Sequence, residues 1–140
     1  MKYIIFTDGG SRGNPGHAAA AFVMKDEKEK NILKEGVYMG IGTNNEAEYT
    51  AVIKALERVR EDNATLDSIS IEFRADSQLV VNQLMGDWKI KNDRIRRMYE
   101  EVKRLESGFE IVVYTYIPRA LNFEADAMVN ETLDKRNSSK

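Results

Sequence analysis

The pattern of apolar and polar residues along the chain predicts five β-strands. They are residues 2–8, 17–24, 32–41, 69–75 and 109–117. The first is apolar almost without interruption, which is typical of a central strand covered on both faces. The fourth alternates with a period of two, and Pro118 ends the fifth. The polar stretch 25–31 predicts a hairpin turn between the second and third strands.

Apolar residues that recur at helical spacing predict four helices. The first begins near Asn44 and continues to about residue 61, with Ala47, Ala51, Val52, Ala55, Leu56 and Val59 on one face. A short helix is expected around 79–84, a longer one around 95–105, and a last one over 122–135. Three strands followed by alternating helices and strands indicate an α/β fold. Its mixed sheet would be an antiparallel meander with parallel additions, covered by helices.

Composition is ordinary for a single globular domain. The chain has 140 residues, of which 42% are hydrophobic and 31% charged. We expect one domain over 1–136 and a disordered tail at 137–140. Because the sequence has no cysteine, no membrane-length apolar run and no secretory signal, we expect a cytoplasmic protein without a membrane association. No assembly element is evident, so a monomer is expected.

Four acidic residues are the main candidates for chemistry. Asp8 and Asp76 close predicted strands, Glu48 lies near the start of the first helix, and Asp126 near the start of the last. Asp8 is also expected to open a glycine-rich turn at 9–16. Carboxylates gathered at one edge of a sheet repel one another unless hard cations lie between them. The four residues therefore predict a site for Mg²⁺, or alternatively Mn²⁺, made of oxygen ligands.

Three of the four acids also have a purely structural interpretation. Asp8 suits a turn, Asp76 and Asn122 suit helix caps, and Asp126 suits the first turn of a helix. Helix geometry favours Glu48 over the neighbouring Glu46 as the functional acid. At 100° per residue, Glu48 lies within about 40° of the buried stripe, whereas Glu46 points about 200° away from Glu48.

A basic segment follows the short helix. Residues 88–97 contain five basic residues and one acid beside Trp88, although the whole chain has a net charge of −2. The overall charge argues weakly against a general nucleic-acid binder. A solvated helix face is one interpretation of the segment, and stacking with phosphate contact is the other.

Four motifs together resemble the type 1 ribonuclease H family. They are Thr7-Asp8-Gly9-Gly10-Ser11-Arg12-Gly13-Asn14-Pro15-Gly16, Thr43-Asn44-Asn45-Glu46-Ala47-Glu48, Ala75-Asp76-Ser77-Gln78 and Asn122-Phe123-Glu124-Ala125-Asp126. The resemblance implies a five-stranded mixed sheet flanked by helices. It also implies cleavage of the RNA strand of RNA/DNA hybrids with two divalent ions, leaving 5′-phosphate and 3′-hydroxyl ends. Asp8, Glu48, Asp76 and Asp126 match the catalytic, metal-binding carboxylates.

The resemblance also suggests substrate contacts. Gly9, Ser11 and Asn14 in the glycine-rich segment, with Asn44, Asn45 and Gln78, would test for 2′-hydroxyls in the minor groove. Thr43 and Asn92 resemble a pocket for a DNA-strand phosphate, and Trp88, Lys89 and Lys91 would line the DNA channel. The remaining expected contacts are Arg119 and Asn122.

The sequence departs from the better-known family pattern in two places. The basic protrusion between the middle helices is reduced to about residues 85–93. The loop before Asp126 lacks the histidine that many members carry there, and Arg119 is the nearest substitute. Arg119 can stabilise charge but cannot shuttle protons at neutral pH.

Three other functions are compatible with these motifs. A related enzyme could also cut double-stranded RNA, or the chain could derive from a reverse transcriptase. An inactive nucleic-acid-binding module is the third, but four carboxylates facing phosphate would weaken a mere binder.

Overall fold

A five-stranded mixed sheet carries four helices in the computed structural model, which describes residues 1–138. The strands are β1 (Lys2–Gly13), β2 (Gly16–Lys25), β3 (Asn31–Gly42), β4 (Ser70–Ala75) and β5 (Ile111–Tyr116). The helices are α1 (Asn44–Asp62), α2 (Gln78–Leu84), α3 (Asp93–Glu106) and α4 (Phe123–Ser138), and a 3₁₀ turn at Arg119–Leu121 precedes the last. The predicted fold class and the number and type of these elements are confirmed.

The sheet order is β3-β2-β1-β4-β5. β1, β2 and β3 form the expected antiparallel meander, while β4 runs parallel to β1 and β5 runs parallel to β4. Because β1 and β4 are parallel neighbours, the last residues of their shared ladder, Thr7 and Ala75, lie at the same edge of the parallel part of the sheet. That edge is where Asp8 and Asp76 come close together.

The first strand is longer than the sequence pattern predicts. The β1–β4 ladder ends at Thr7 opposite Ala75, but the β1–β2 ladder continues to Gly13 opposite Gly16. The expected turn at 9–16 is therefore wrong, since only two residues connect the strands. Gly9 and Gly10, which suggested a turn, lie within the strand because β2 pairs with them. Asp8 lies at the point where β1 leaves its parallel neighbour.

Two hydrophobic clusters cover the two faces of the sheet. The larger one packs the buried stripe of α1, together with α2 and α3, against residues such as Ile5 and Phe73. The smaller one packs Val129 and Leu133 of α4 against Ala19 and Ala21 of β2. Small side chains on β2 let α4 lie close to the antiparallel half of the sheet. As a result, α1 and α4 approach β1 from opposite faces.

Side-chain caps fix where the helices begin. Thr43 caps α1 in a reciprocal arrangement with Glu46, Ser77 caps α2 and Asn92 caps α3. Because Ser77 is the cap of α2, the structure does not assign that role to Asp76.

The last helix covers part of the expected tail. α4 ends at Ser138, and residues 139–140 of the expected tail 137–140 lie outside the described residues. None of the helices described over residues 1–138 combines the length and apolarity that a membrane crossing requires.

Glu124 anchors the first turn of α4 to the sheet. Its carboxylate accepts from Lys25 Nζ at 2.8 Å and lies 2.9 Å from Lys34 Nζ, and Asn31 Nδ2 donates to it at 3.3 Å. These partners lower the pKa of Glu124 from 4.5 to about 2. Since Asp126 follows two residues later, this anchor also fixes the position of Asp126 relative to the sheet.

We predict that Glu124→Gln lowers the free energy of unfolding by about 1 kcal/mol at pH 7, because partial solvent exposure weakens the ion pairs. The pKa of Glu124 is lower in the folded state than in the unfolded state. The stabilisation is therefore complete above about pH 4.5 and is lost as the pH falls toward 2. Urea unfolding of both proteins from pH 7 to pH 2 measures the difference. An undiminished difference at pH 2 would mean that charge is not its cause.

Candidate active site

Three carboxylates from three different elements converge where the parallel ladder between β1 and β4 ends. Asp8 lies in β1, Glu48 in α1 and Asp76 directly after β4, and one oxygen of each lies within 4.8 Å of the others. Asp8 and Glu48 are buried, and Asp76 is partly buried. Glu46 points elsewhere, because its carboxylate accepts from the Thr43 amide and pairs with Arg94. The geometry thus selects Glu48 rather than Glu46.

Gly9 allows α1 to bring Glu48 to this position. A Cβ at Gly9 would lie 2.2 Å from the carbonyl carbon of Ala47 and 2.5 Å from the backbone nitrogen of Glu48. No side chain fits at such distances, so the backbone of α1 rests directly on the backbone of β1. The residue after Asp8 must be glycine for Glu48 to reach Asp8.

The electrostatics of the triad favour protonation or cation binding. Burial raises the pKa of Asp8 to about 7, with further increases from Asp76 and Asp126. Burial and the charge of Asp8 raise the pKa of Glu48 well above its usual value. Burial also raises the pKa of Asp76, while Arg119 opposes this effect through its positive charge. Carboxylates this close cannot all stay ionised near neutral pH without positive charge between them.

The donor set fits a hard divalent cation. Glu48 Oε2 is buried and has no hydrogen-bond partner among the residues described. A buried carboxylate oxygen without a partner is costly, and a bound cation would compensate it. Oxygen ligands without nitrogen or sulfur are those that Mg²⁺ and Mn²⁺ prefer.

A cavity of about 420 Å³ opens above the triad. Asp126 and Arg119 lie on its wall, with Arg119 Nη2 3.9 Å from Asp126 Oδ1 and the Arg119 side chain 83% exposed. The fourth predicted acid therefore faces the same space as the other three. The cavity is lined by Asp8, Gly9, Gly10, Ser11, Arg12, Asn44, Glu48, Asp76, Arg119, Asp126, Val129, Asn130 and Leu133.

Three of the six residues expected to read ribose, Ser11, Asn14 and Asn44, form a hydrogen-bonded group at one side of this cavity. Asn44 Oδ1 accepts hydrogen bonds from the amide and the hydroxyl of Ser11 at 2.9 and 3.2 Å. Asn14 Oδ1 accepts from the backbone amide of Asn44 at 3.1 Å. The hairpin end is thereby fixed to the start of α1. Asn45 and Gln78 are exposed near the starts of α1 and α2.

Thr43 and Asn92 act as helix caps in the structure. Thr43 Oγ1 accepts from the Glu46 amide at 3.1 Å, and Asn92 Oδ1 accepts from the Ile95 amide at 3.0 Å. The Glu46–Arg94 ion pair joins the first turns of α1 and α3. Two helix N-termini therefore lie near each other, and their partial positive charge suits an anion.

The basic segment lies partly outside the helices. Trp88, Lys89 and Lys91 are exposed in the loop between α2 and α3, and they do not line the cavity. Any contact that they make with a substrate would lie away from the triad, further along an extended strand.

Asn122 supports the site from within the fold. Its side chain is buried and donates from Nδ2 to the Thr7 carbonyl at 2.8 Å. It also hydrogen-bonds Asp76 and so lowers the pKa of that carboxyl. Asn122 thus connects the start of α4 to β1 and to Asp76, and a direct contact with substrate stays a prediction.

Arg12 lines the cavity but is missing from the residues that the sequence predicted. The reason is the expected turn at 9–16, which gives the Arg12 side chain no defined direction. In an extended strand, residues two and four positions beyond Asp8 share its face. The period-two pattern would have identified Arg12 if the strand had been extended to Gly13.

Known proteins share both the sequence and the fold of this chain. Residues 6–132 match the "Reverse transcriptase-like" family. The chain is 42% identical over 129 residues to "Ribonuclease HI" of Halobacterium salinarum, covering 92% of this chain and 63% of the relative. Mycobacterial relatives at 37% identity are longer still, and the chain spans 36% of their length. It therefore spans less than two thirds of the curated relatives named here.

Two solved structures have nearly the same fold. The crystal structure of RNase H1 from Halobacterium salinarum matches with a TM-score of 0.90 and 40% identity, covering 96% of this chain and 99% of that one. The structure of LC11-RNase H1 in complex with an RNA/DNA hybrid matches with a TM-score of 0.91 and 38% identity, covering 96% and 98%. Since the similarity in sequence and in structure extends over nearly the whole fold, this chain belongs to the type 1 ribonuclease H family.

Proposed function

We propose that this protein is a divalent-metal-dependent endonuclease that hydrolyses the RNA strand of RNA/DNA hybrids. The observation that carries the proposal is the buried triad of Asp8, Glu48 and Asp76, in which one Glu48 oxygen has no partner among the described residues. A pure binding module would gain nothing from burying these charges beside a phosphate. The hybrid in the LC11-RNase H1 structure supports the choice of substrate.

Asp8, Glu48, Asp76 and Asp126 would hold two Mg²⁺ ions, with Mn²⁺ as the alternative. When bound, such ions favour hydroxide formation from water and neutralise charge on the departing 3′-oxygen. Asp8 is the candidate for the shared ligand, because it interacts with all three other carboxylates. Arg119, which is close to Asp126, adds positive charge beside the reacting phosphate without exchanging protons.

Hybrid recognition would come from the group around Asn44. Because Asn44 Oδ1 already accepts from Ser11, its amide nitrogen is the donor that a 2′-hydroxyl can meet. Glu48 lines the same cavity and can contact a ribose while holding metal. At the starts of α1 and α3, the caps Thr43 and Asn92 would receive a phosphate of the DNA strand.

We also propose that the protein acts as a monomer, since its sequence has no evident assembly element. A cytoplasmic location and the absence of a membrane association stay predictions.

We predict that Asp8→Asn lowers the cleavage rate by roughly 100-fold or more, because the shared metal ligand loses its charge. The apo fold should be equally or more stable. Since burial raises the folded-state pKa of Asp8 to about 7, its ionisation destabilises the wild type as the pH rises above about 4. The Asn variant has no such ionisation and avoids this destabilisation.

Cleavage assays in Mg²⁺ and urea unfolding in EDTA measure the two effects. Asp67→Asn is the matched control, because Asp67 is an exposed acid between α1 and β4, away from the site. Normal cleavage by a folded Asp8→Asn protein would exclude the assignment.

We predict that replacing Lys89 and Lys91 by Ala weakens hybrid binding and flattens its salt dependence. The log–log slope should fall by about one unit for every phosphate that the variant no longer binds, while turnover at saturating substrate changes little. Replacing Lys28 and Lys30, two exposed lysines of the β2–β3 turn, removes the same charge elsewhere. If both double variants have the same slope as the wild type, Lys89 and Lys91 are merely solvated.

We predict that the enzyme cuts the hybrid, leaves duplex DNA intact and cuts duplex RNA poorly. A second ribose strand presents 2′-hydroxyls where a deoxy strand is expected. Asn44→Ala should reduce the preference for hybrid without abolishing metal binding. Parallel assays of the three duplexes, with a DNA duplex containing one ribonucleotide, measure this preference. Efficient cutting of plain DNA would contradict the proposal, and equal cutting of duplex RNA would favour a broader ribonuclease.

A further inference from the structure

We propose that Arg12 binds a non-scissile phosphate of the cleaved strand, at the end of the cavity between β1 and α4. The inference rests on the proposed function, because it requires a polynucleotide strand that passes the triad. It assigns to this strand a second anchoring point, separate from the carboxylates.

β1 leads directly from the triad to Arg12. Asp8, Gly10 and Arg12 are alternate residues of one strand, so they share a face, and all three line the cavity. Four residues of antiparallel strand span about 14 Å. This length exceeds one nucleotide step, which rises about 3.4 Å along a duplex axis. A strand bound at Asp8 can therefore place at Arg12 a phosphate that lies more than one nucleotide from the scissile one.

Gly10 leaves the space between these two residues open. A Cβ at Gly10 would lie 3.8 Å from Val129 Cγ1 and 4.0 Å from Asn44 Oδ1, which are ordinary contacts. Packing therefore does not demand a glycine at this position, unlike at Gly9. Its missing side chain gives the cavity an open floor between Asp8 and Arg12.

The face of α4 forms the opposite wall. Asp126, Val129, Asn130 and Leu133 line the cavity at the spacing of one helical face. Seven residues of helix extend about 10 Å, comparable with the span along β1. The cavity thus continues along both elements, and Arg12 is the cationic side chain at the end remote from Arg119.

The Arg12 guanidinium is held in place and still has donors to offer. Its Nη2 donates to Asp134 Oδ1 at 2.7 Å and to the Asn130 carbonyl at 3.5 Å, and the side chain is 40% exposed. A guanidinium carries five N–H donors in a planar fork that matches phosphate. The bonds through Nη2 orient the fork, and within residues 1–138 no hydrogen bond uses Nε or Nη1, which can therefore bind an anion.

The position of Arg12 identifies the strand that it contacts. The groups proposed for the DNA strand, Thr43 and Asn92, lie at the starts of α1 and α3, whereas Arg12 lies beside α4. The cavity that contains Arg12 is continuous with the triad, where the scissile phosphate must sit. The phosphate at Arg12 therefore belongs to the strand that is cut.

Steady-state cleavage of a hybrid at roughly 50 to 200 mM salt tests this inference. For Arg12→Ala we expect KM to rise about 3- to 10-fold, and kcat to stay within roughly twofold. The slope of log KM against log salt should fall by about one unit. Arg12→Lys, which keeps the charge, should restore the slope. Arg58→Ala is the matched control, because Arg58 is also ion-paired but lies on α1 away from the cavity.

The variant Asp134→Ala distinguishes a role of Arg12 in phosphate binding from a purely structural role. If Arg12 only fastens the β1–β2 hairpin to α4, removing either partner of the ion pair should raise KM equally, and this result would overturn the inference. If Arg12 binds phosphate, Asp134→Ala should retain the wild-type salt slope.

Hybrids with a single uncharged methylphosphonate linkage locate the contact. For the wild type, we expect one position in the RNA strand, near but not at the cleavage site, to raise KM. For Arg12→Ala, the same substrate should cause no further increase in KM. Equal increases for both proteins at every position would overturn the inference. If the wild type failed to cut any hybrid, the proposed function itself would fall, and this outcome is distinct from the others.

Discussion

The site depends on the direct contact between the backbones of α1 and β1 at Gly9. A Cβ there would overlap the Ala47 carbonyl carbon at 2.2 Å, so the helix can rest on the strand only because the side chain is missing. This contact places Glu48 beside Asp8 in a buried environment. The parallel pairing of β1 and β4 then adds Asp76, because their ladder ends at Thr7 and Ala75, directly before Asp8 and Asp76. The carboxylate arrangement follows from these two backbone relationships.

Burial raises the pKa values of the triad and lowers the stability of the folded protein. The raised pKa values of Asp8 and Glu48 show that burial disfavours their charged forms, so protons in the apo site or bound cations would relieve the cost. Asn122 and Arg119 moderate the charge of Asp76 from the α4 side. The stability that such a site requires comes from elsewhere, above all from the large apolar core between α1 and the sheet. The candidate site thus lies at the edge of the sheet, whereas the stabilising apolar contacts lie at its centre.

Recognition would use groups that also define the fold. Thr43 and Asn92 begin helices, and Asn44 ties the hairpin end to α1 through Ser11. Caps are fixed in orientation by their own hydrogen bonds, so they can present polar groups to a ligand with little loss of conformational entropy. Substrate contacts built on caps are therefore preorganised by folding.

The sequence by itself determined the elements and the family, and it singled out four acids that the structure places around one cavity, because periodicity and short motifs are local properties. It also distinguished Glu48 from Glu46, since a helix of known period fixes which side chains share a face. It did not determine that β1 continues to Gly13, because glycines suit both turns and strands and the pairing with β2 decides between the two. For the same reason it missed Arg12. Only the tertiary structure decided that Asn122 is buried against Thr7 and that the cavity continues along α4, since these depend on contacts between residues more than a hundred positions apart.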